Sequence, residues 1–90
     1  MNPGSQDTEL KQALKRLIVA ACNKDVAPES IADDATLVGF GSDLGLDSLD
    51  VLQINVALTR EYGVRIQDSK HARRVMKSVN SLADFIRPGG

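Results

Sequence analysis

Apolar residues early in the chain recur at helical spacing. Leu10, Ala13, Leu14, Leu17, Ile18 and Ala21 share one face, and Asp7, Thr8 and Glu9 before them supply an N-cap candidate and early-turn acids. The pattern predicts a helix over residues 8–22, with Cys22 extending the face from Ile18 as a buried small residue rather than a nucleophile. From residue 24 to 47 the periodicity stops. Pro28, Gly39, Gly41 and Gly45 punctuate this stretch, while Ile31, Leu37, Val38, Phe40, Leu44 and Leu46 keep it apolar enough to pack against a core. A packed loop follows, of a length that is usually functional or contains a short helical turn.

Helical spacing returns at Ser48 and continues to Tyr62, where Gly63 is placed to stop it. At about 100° per residue, Val51, Ile54, Leu58 and Tyr62 fall on one side and Leu49, Leu52 and Val56 nearly opposite. Two apolar stripes on one helix leave two readings open: burial on both sides, or a second stripe that meets a partner or ligand. Asp68 or Ser69 can cap a short helix over residues 69–76, and Ser78 or Asn80 a last one through Val79, Leu82, Ala83, Phe85 and Ile86, ended by Pro88. Residues 1–6 and 88–90 lack apolar periodicity and read as flexible tails around one domain at 7–87. The expected fold is all-α, a bundle of three main helices and one short helix with a long loop between helices one and two.

Composition narrows the class. With 42% hydrophobic and 26% charged residues, the chain is that of an ordinary globular domain, and 3% aromatics with no Trp suits helix packing. One Cys excludes an internal disulfide framework. The longest wholly apolar run, residues 17–22, is far short of a membrane span, so a cytoplasmic monomer is the expectation. The net charge of −1 hides a polarised distribution. Asp25, Glu29, Asp33, Asp34, Asp43, Asp47 and Asp50 face Lys24 alone, whereas Lys70, Arg73, Arg74 and Lys77 follow Asp68. Such asymmetry marks either partner surfaces or solvated faces.

The segment Asp43-Leu44-Gly45-Leu46-Asp47-Ser48-Leu49-Asp50 resembles the phosphopantetheine attachment site of the acyl carrier protein family, and the order of helices and loop follows the family's layout through Ala83-Asp84-Phe85-Ile86. The resemblance implies an acyl carrier in fatty-acid, lipid or polyketide-type biosynthesis, with acyl groups held as thioesters on a 4'-phosphopantetheine arm at Ser48. It implies a phosphopantetheinyl transferase, using coenzyme A and Mg²⁺, that contacts the acids around the serine. Acyl-loading, condensing and acyl-transfer enzymes are the further partners, and Asp47, Leu49, Asp50, Leu52, Gln53 and Val56 fall at docking positions. It also implies that a carried chain can fold back between helices into the core.

Physical chemistry supports the placement. A hydroxyl at the first position of a helix sits beside unpaired N–H groups and the positive dipole end, where a phosphodiester is favoured. No His or Lys is adjacent to act as base, so Ser48 needs an outside enzyme. The plain alternative for Ser48 is an ordinary N-cap.

Where family members in housekeeping fatty-acid synthesis carry glutamates along helix two, this chain has Gln53, Thr59 and Arg60, and its third helix is basic where theirs is acidic. These departures suggest a specialised carrier for a dedicated pathway. Peptidyl or aminoacyl carriers share the arm, but Leu46-Asp47 before the serine favours the acyl branch. An unmodified helical interaction module is the alternative from another class. DNA binding is disfavoured by the acidic middle and the charge of −1. No catalytic or metal-binding set emerges: His71 is the sole histidine, on a basic helix, and reads as a solvent-exposed residue.

Overall fold

The computed structural model describes residues 3–37 and 45–87, with four α-helices among them. These are α1 (Thr8–Cys22), α2 (Ser48–Tyr62), α3 (Ser69–Val75) and α4 (Val79–Ile86), with 3-10 turns at Gly4–Gln6 and Pro28–Ser30. The all-α bundle, the short third helix and the long α1–α2 connection match the expected architecture. Val38, Gly39, Phe40, Gly41, Asp43 and Leu44, read from sequence as parts of the packed loop and motif, lie outside the described residues, as does the proposed tail at 88–90.

Each helix begins on a side-chain cap. Asp7 accepts from Leu10 N at 3.1 Å and Asp68 from His71 N at 2.7 Å, while Ser78 and Ser81 form a reciprocal capping box at the start of α4. Of the two candidates before α4, Ser78 is therefore the cap. At the far end of α1, Asn23 adopts the left-handed conformation with φ 52°, a role asparagine tolerates better than other non-glycine residues. Gly63 does the same after α2, with φ 69°.

Leu14 and Ile18 of α1, Ile54 and Leu58 of α2, Met76, and Val79 and Leu82 of α4 are fully buried in one core, which Leu37 of the long loop completes. α1 packs on both α2 and α4, and α3 lies against α4. Polar contacts tether the described part of the loop. Asp33 receives Lys11 at 2.8 Å and Lys15 at 2.7 Å, its carbonyl accepts from Asn80 N at 3.0 Å, and Leu37 N donates to Lys77 O at 3.2 Å. Lys15 is only 6% exposed, so Asp33 compensates a nearly buried ammonium.

The amino-terminal residues differ from the sequence expectation. Instead of belonging to a tail, Gly4 is buried, its N–H donates to Arg87 O at 2.8 Å, and Ser5 N donates to Asp84 at 2.9 Å. Asp7 also pairs with Arg87. A Cβ on Gly4 would lie 2.0 Å from Ala83 O, so the close approach to α4 requires glycine. Apolar periodicity could not reveal this docking, because backbone groups and a missing side chain make it.

The Lys11 and Lys15 hydrogen bonds hold the Asp33 carboxyl below its ordinary value of 3.8. A carboxyl that titrates lower when folded stabilises the fold fully above that ordinary value, and the effect is lost as the pH falls through the lower folded value. Asp33→Asn should cost about 1–2 kcal/mol, between the values for exposed and buried pairs. Thermal melts should show the deficit in neutral buffer and convergence with the parent chain in acid.

Candidate functional site

The start of α2 is fixed before Ser48 is reached. Gly45 takes φ 60°, Leu46 drops into the core, and Asp47 is extended with φ −106° and ψ −173°. Asp47 then accepts from Asp50 N at 2.9 Å while Asp50 accepts from Asp47 N at 3.2 Å, a capping box with acids at both positions. Asp47 therefore occupies the N-cap that Ser48 could otherwise have taken. Ser48 is the first helical residue, exposed, and its hydroxyl has no hydrogen-bond partner among the described residues.

The second stripe of α2 is solvent-facing, so burial on both sides is excluded. Leu49, Leu52 and Val56 are 62%, 56% and 50% exposed, and Gln53 is exposed beside them. Spacings of three and four residues set these four on one face. Asp47 is exposed as well. Asp50 is placed differently from the other expected docking residues: it is half-buried, engaged in the capping box, and 3.7 Å from Lys24. Cys22 is half-buried, its thiol facing Asp50 O at 3.8 Å. Desolvation, reinforced by Asp50, pushes that thiol up to about 11, which leaves it protonated and unreactive.

Beside Ser48 runs a groove of about 210 Å³. Ser48, Val51, Leu52 and Asn55 line one side, and Ile66, Gln67, Asp68 and Ala72 the other. Asn55, which sequence reasoning did not single out, holds it open to a defined width. Its side-chain amide donates to Ile66 O at 3.1 Å and accepts from Ile66 N at 2.9 Å, pairing both polar groups of a buried residue. The available signal was an asparagine inside a helix, where its propensity is poor. Thr59 adds a hydroxyl contact to Val64 O at 2.8 Å.

His71 corrects a second expectation. It is half-buried rather than solvent-exposed, edge-on to Phe85 at 5.1 Å between ring centroids, and its Nδ1 accepts from Gln67 N at 3.2 Å. The ring covers apolar surface of α4 while the rest of the outer face of α3, with Lys70, Arg73 and Arg74, points to solvent. No cluster of His, Cys, Asp and Glu suited to a metal ion occurs among the described residues. The start of α2 thus presents an exposed hydroxyl next to a groove and an apolar face.

Comparison with known proteins agrees with that chemistry. The family described as phosphopantetheine attachment site matches residues 12–86. An acyl carrier protein of Thermosynechococcus vestitus is 32% identical over 79 residues, covering 88% of this chain and 89% of the relative. Polyketide-8 synthase acyl carrier protein 2 of Streptomyces avermitilis is 40% identical over 72 residues, covering 80% and 71%. An acyl carrier protein of Bradyrhizobium sp. is 33% identical over 79 residues, covering 88% and 91%.

Asn55→Ala should orphan the buried N–H and C=O of Ile66 and destabilise the fold by about 1–3 kcal/mol. Hydrogen exchange should accelerate at Ile66 more than at core amides of α1. Asn55→Asp, which keeps the acceptor and loses the donor, should fall between the two.

Proposed function

The chain belongs to the phosphopantetheine attachment-site family and is an acyl carrier, and from that premise we propose that Ser48 bears the phosphopantetheine arm and that the chain itself catalyses nothing. The observation that carries this assignment is the capping box. With Asp47 as cap, the Ser48 hydroxyl has no hydrogen-bonding duty among the described residues at the helix start. The Ser48 and Leu49 amides, which a helix leaves without internal partners, favour an anion there. Lys24 offsets the charge of Asp50 nearby. The arm, once attached, supplies the terminal thiol on which an acyl group rides as a thioester.

The residues present divide the remaining work. Ser48 is the acceptor of the transferase reaction, and its proton leaves to a base of that enzyme. Val51, Leu52 and Asn55 offer the groove along which the arm and the near part of its cargo can lie. Leu49, Leu52, Gln53 and Val56, with Asp47 at the helix start, form the face offered in turn to the transferase and to loading, condensing and acyl-transfer enzymes. Asp50 serves that face indirectly by fixing its first turn. No described helix is long and apolar enough to cross a membrane, and we read the chain as a cytoplasmic monomer that meets these partners singly.

The pathway reading is a dedicated one of polyketide type. The likeness to a polyketide synthase carrier supports it, as do Gln53 and Arg60 on exposed positions of α2 and the cationic α3. A synthase that steers carriers by a basic docking patch finds little to attract it on such a face.

Incubation with coenzyme A and a phosphopantetheinyl transferase should add one arm to the intact mass of the chain and none to Ser48→Ala. Equal gains in both, or none in either, would overturn the assignment. Elongation by a housekeeping fatty-acid synthase should be slow with this carrier. Gln53→Glu combined with Arg60→Glu should raise it severalfold at low ionic strength, chiefly through faster encounter.

A further inference from the structure

Residues 3–7 form a strap that closes over the carboxyl-terminal end of α4. Gly4 N donates to Arg87 O at 2.8 Å, Ser5 N donates to Asp84 Oδ1 at 2.9 Å, and Asp7, which already caps α1, pairs with Arg87. Gly4 itself is buried against the carbonyl of Ala83. These contacts do for the end of α4 what the box of Ser78 and Ser81 does for its start. With only eight residues, α4 is too short to hold its own termini by backbone bonds alone. Its last turn leans on the strap.

That turn carries Phe85, placed between the two residues the strap holds, Asp84 and Arg87, and its ring meets His71 of α3 edge-on at 5.1 Å between centroids. His71 Nδ1 in turn accepts from Gln67 N at 3.2 Å, and Gln67 lies in the wall of the groove beside Ser48. Contacts therefore run without a gap from the strap to the groove. The far wall of the groove is held in two different ways. Ile66 is pinned by Asn55 of α2 itself, so that part of the wall cannot follow α3. Gln67 and Ala72 move with α3, and α3 lies against α4.

We propose that the strap is a latch on this groove. Docked, it keeps the last turn of α4 wound, Phe85 against His71, and the Gln67 side of the wall close to α2. Lifted, it lets that turn fray, and the Gln67 side swings outward while Ile66 stays in place. A terminal segment is the part of a fold that opens at least cost, so the latch works without unfolding the core. The strap is thus the two-state element, and the packed rings of Phe85 and His71 are its link to the groove. The device acts on the groove whether or not Ser48 bears an arm.

The test compares NMR spectra of the isotopically labelled full-length chain with those of Gly4→Ala, whose new Cβ would lie 2.0 Å from Ala83 O and so lifts the strap. The amides of residues 4 and 5 should move to random-coil positions. With them, NOEs between the His71 and Phe85 rings should weaken severalfold, and the Gln67 and His71 amides should shift and broaden. The amides of Ile18, Ile54 and Ile66 should keep their places. Arg87→Gln, which removes only the ion pair to Asp7, should give the same pattern in smaller degree, and it carries the test if Gly4→Ala does not fold. In a Phe85→Leu background, where the linking ring is gone, lifting the strap should no longer disturb Gln67 or His71. Strap resonances that move while Gln67 and His71 stay put would overturn the proposal. So would a strap that stays docked in both variants, a disturbance shared equally by Ile18 and Ile54, which marks a general loss of stability, or one that persists in the Phe85→Leu background.

Discussion

The face that α2 exposes depends on where the helix begins, and two aspartates decide that. Asp47 and Asp50 satisfy each other's backbone N–H groups across the first turn. A helix start left unpaired frays, because its first N–H groups have no internal acceptors. With the box closed, Ser48 and Leu49 stand at defined angles on a rigid turn, and the buried Leu46 just before it prevents that turn from sliding along the core. Acids at both positions also complement the dipole, whereas a serine cap would have spent its hydroxyl on the same job.

From that start, α2 serves two masters without compromise because its period separates them. Ile54 and Leu58 are fully buried while Leu49, Leu52 and Val56 are at least half exposed. Burial of the first set supplies stability, while the second stays in solvent. Asn55 stands on the boundary between them, and by pairing both polar groups of Ile66 it converts a flexible α2–α3 connection into the facing wall of a groove. The polar lacing of the other connection, through Asp33 to Lys11 and Lys15, ties that connection to α1.

Helix positions were legible in the sequence because their signals are local. Apolar spacing, cap residues and Gly63 mark α1 and α2 from end to end, and the motif resemblance singles out Ser48, which stands first in α2. What escaped was contact between distant residues made by polar or absent side chains. Gly4 docks on Ala83 because it lacks a Cβ, Asn55 reads as a weak helix former until Ile66 is seen opposite, and His71 reads as exposed until Phe85 covers its edge. Asp50 shows the subtler limit. Its place in the motif suggests a docking acid, and the structure adds that its carboxylate also accepts from Asp47 N and lies near Lys24. Periodicity reports which face is apolar, not which polar atoms are already in use.

A carrier must be modified, loaded and unloaded repeatedly without its fold responding each time. With Ser48 as the proposed point of modification, the division of labour around it would meet that requirement. No cap, core contact or tether among the described residues runs through the Ser48 side chain, so the proposed phosphodiester there would remove none of those interactions. The cost of the new charge would fall on a helix terminus already disposed to accept an anion. Had Ser48 been the cap, attachment of the arm would have stripped α2 of its first-turn acceptor at the moment partners needed that turn most ordered. Placing the cap one residue earlier, on Asp47, separates the chemistry of the site from the stability of the helix that displays it.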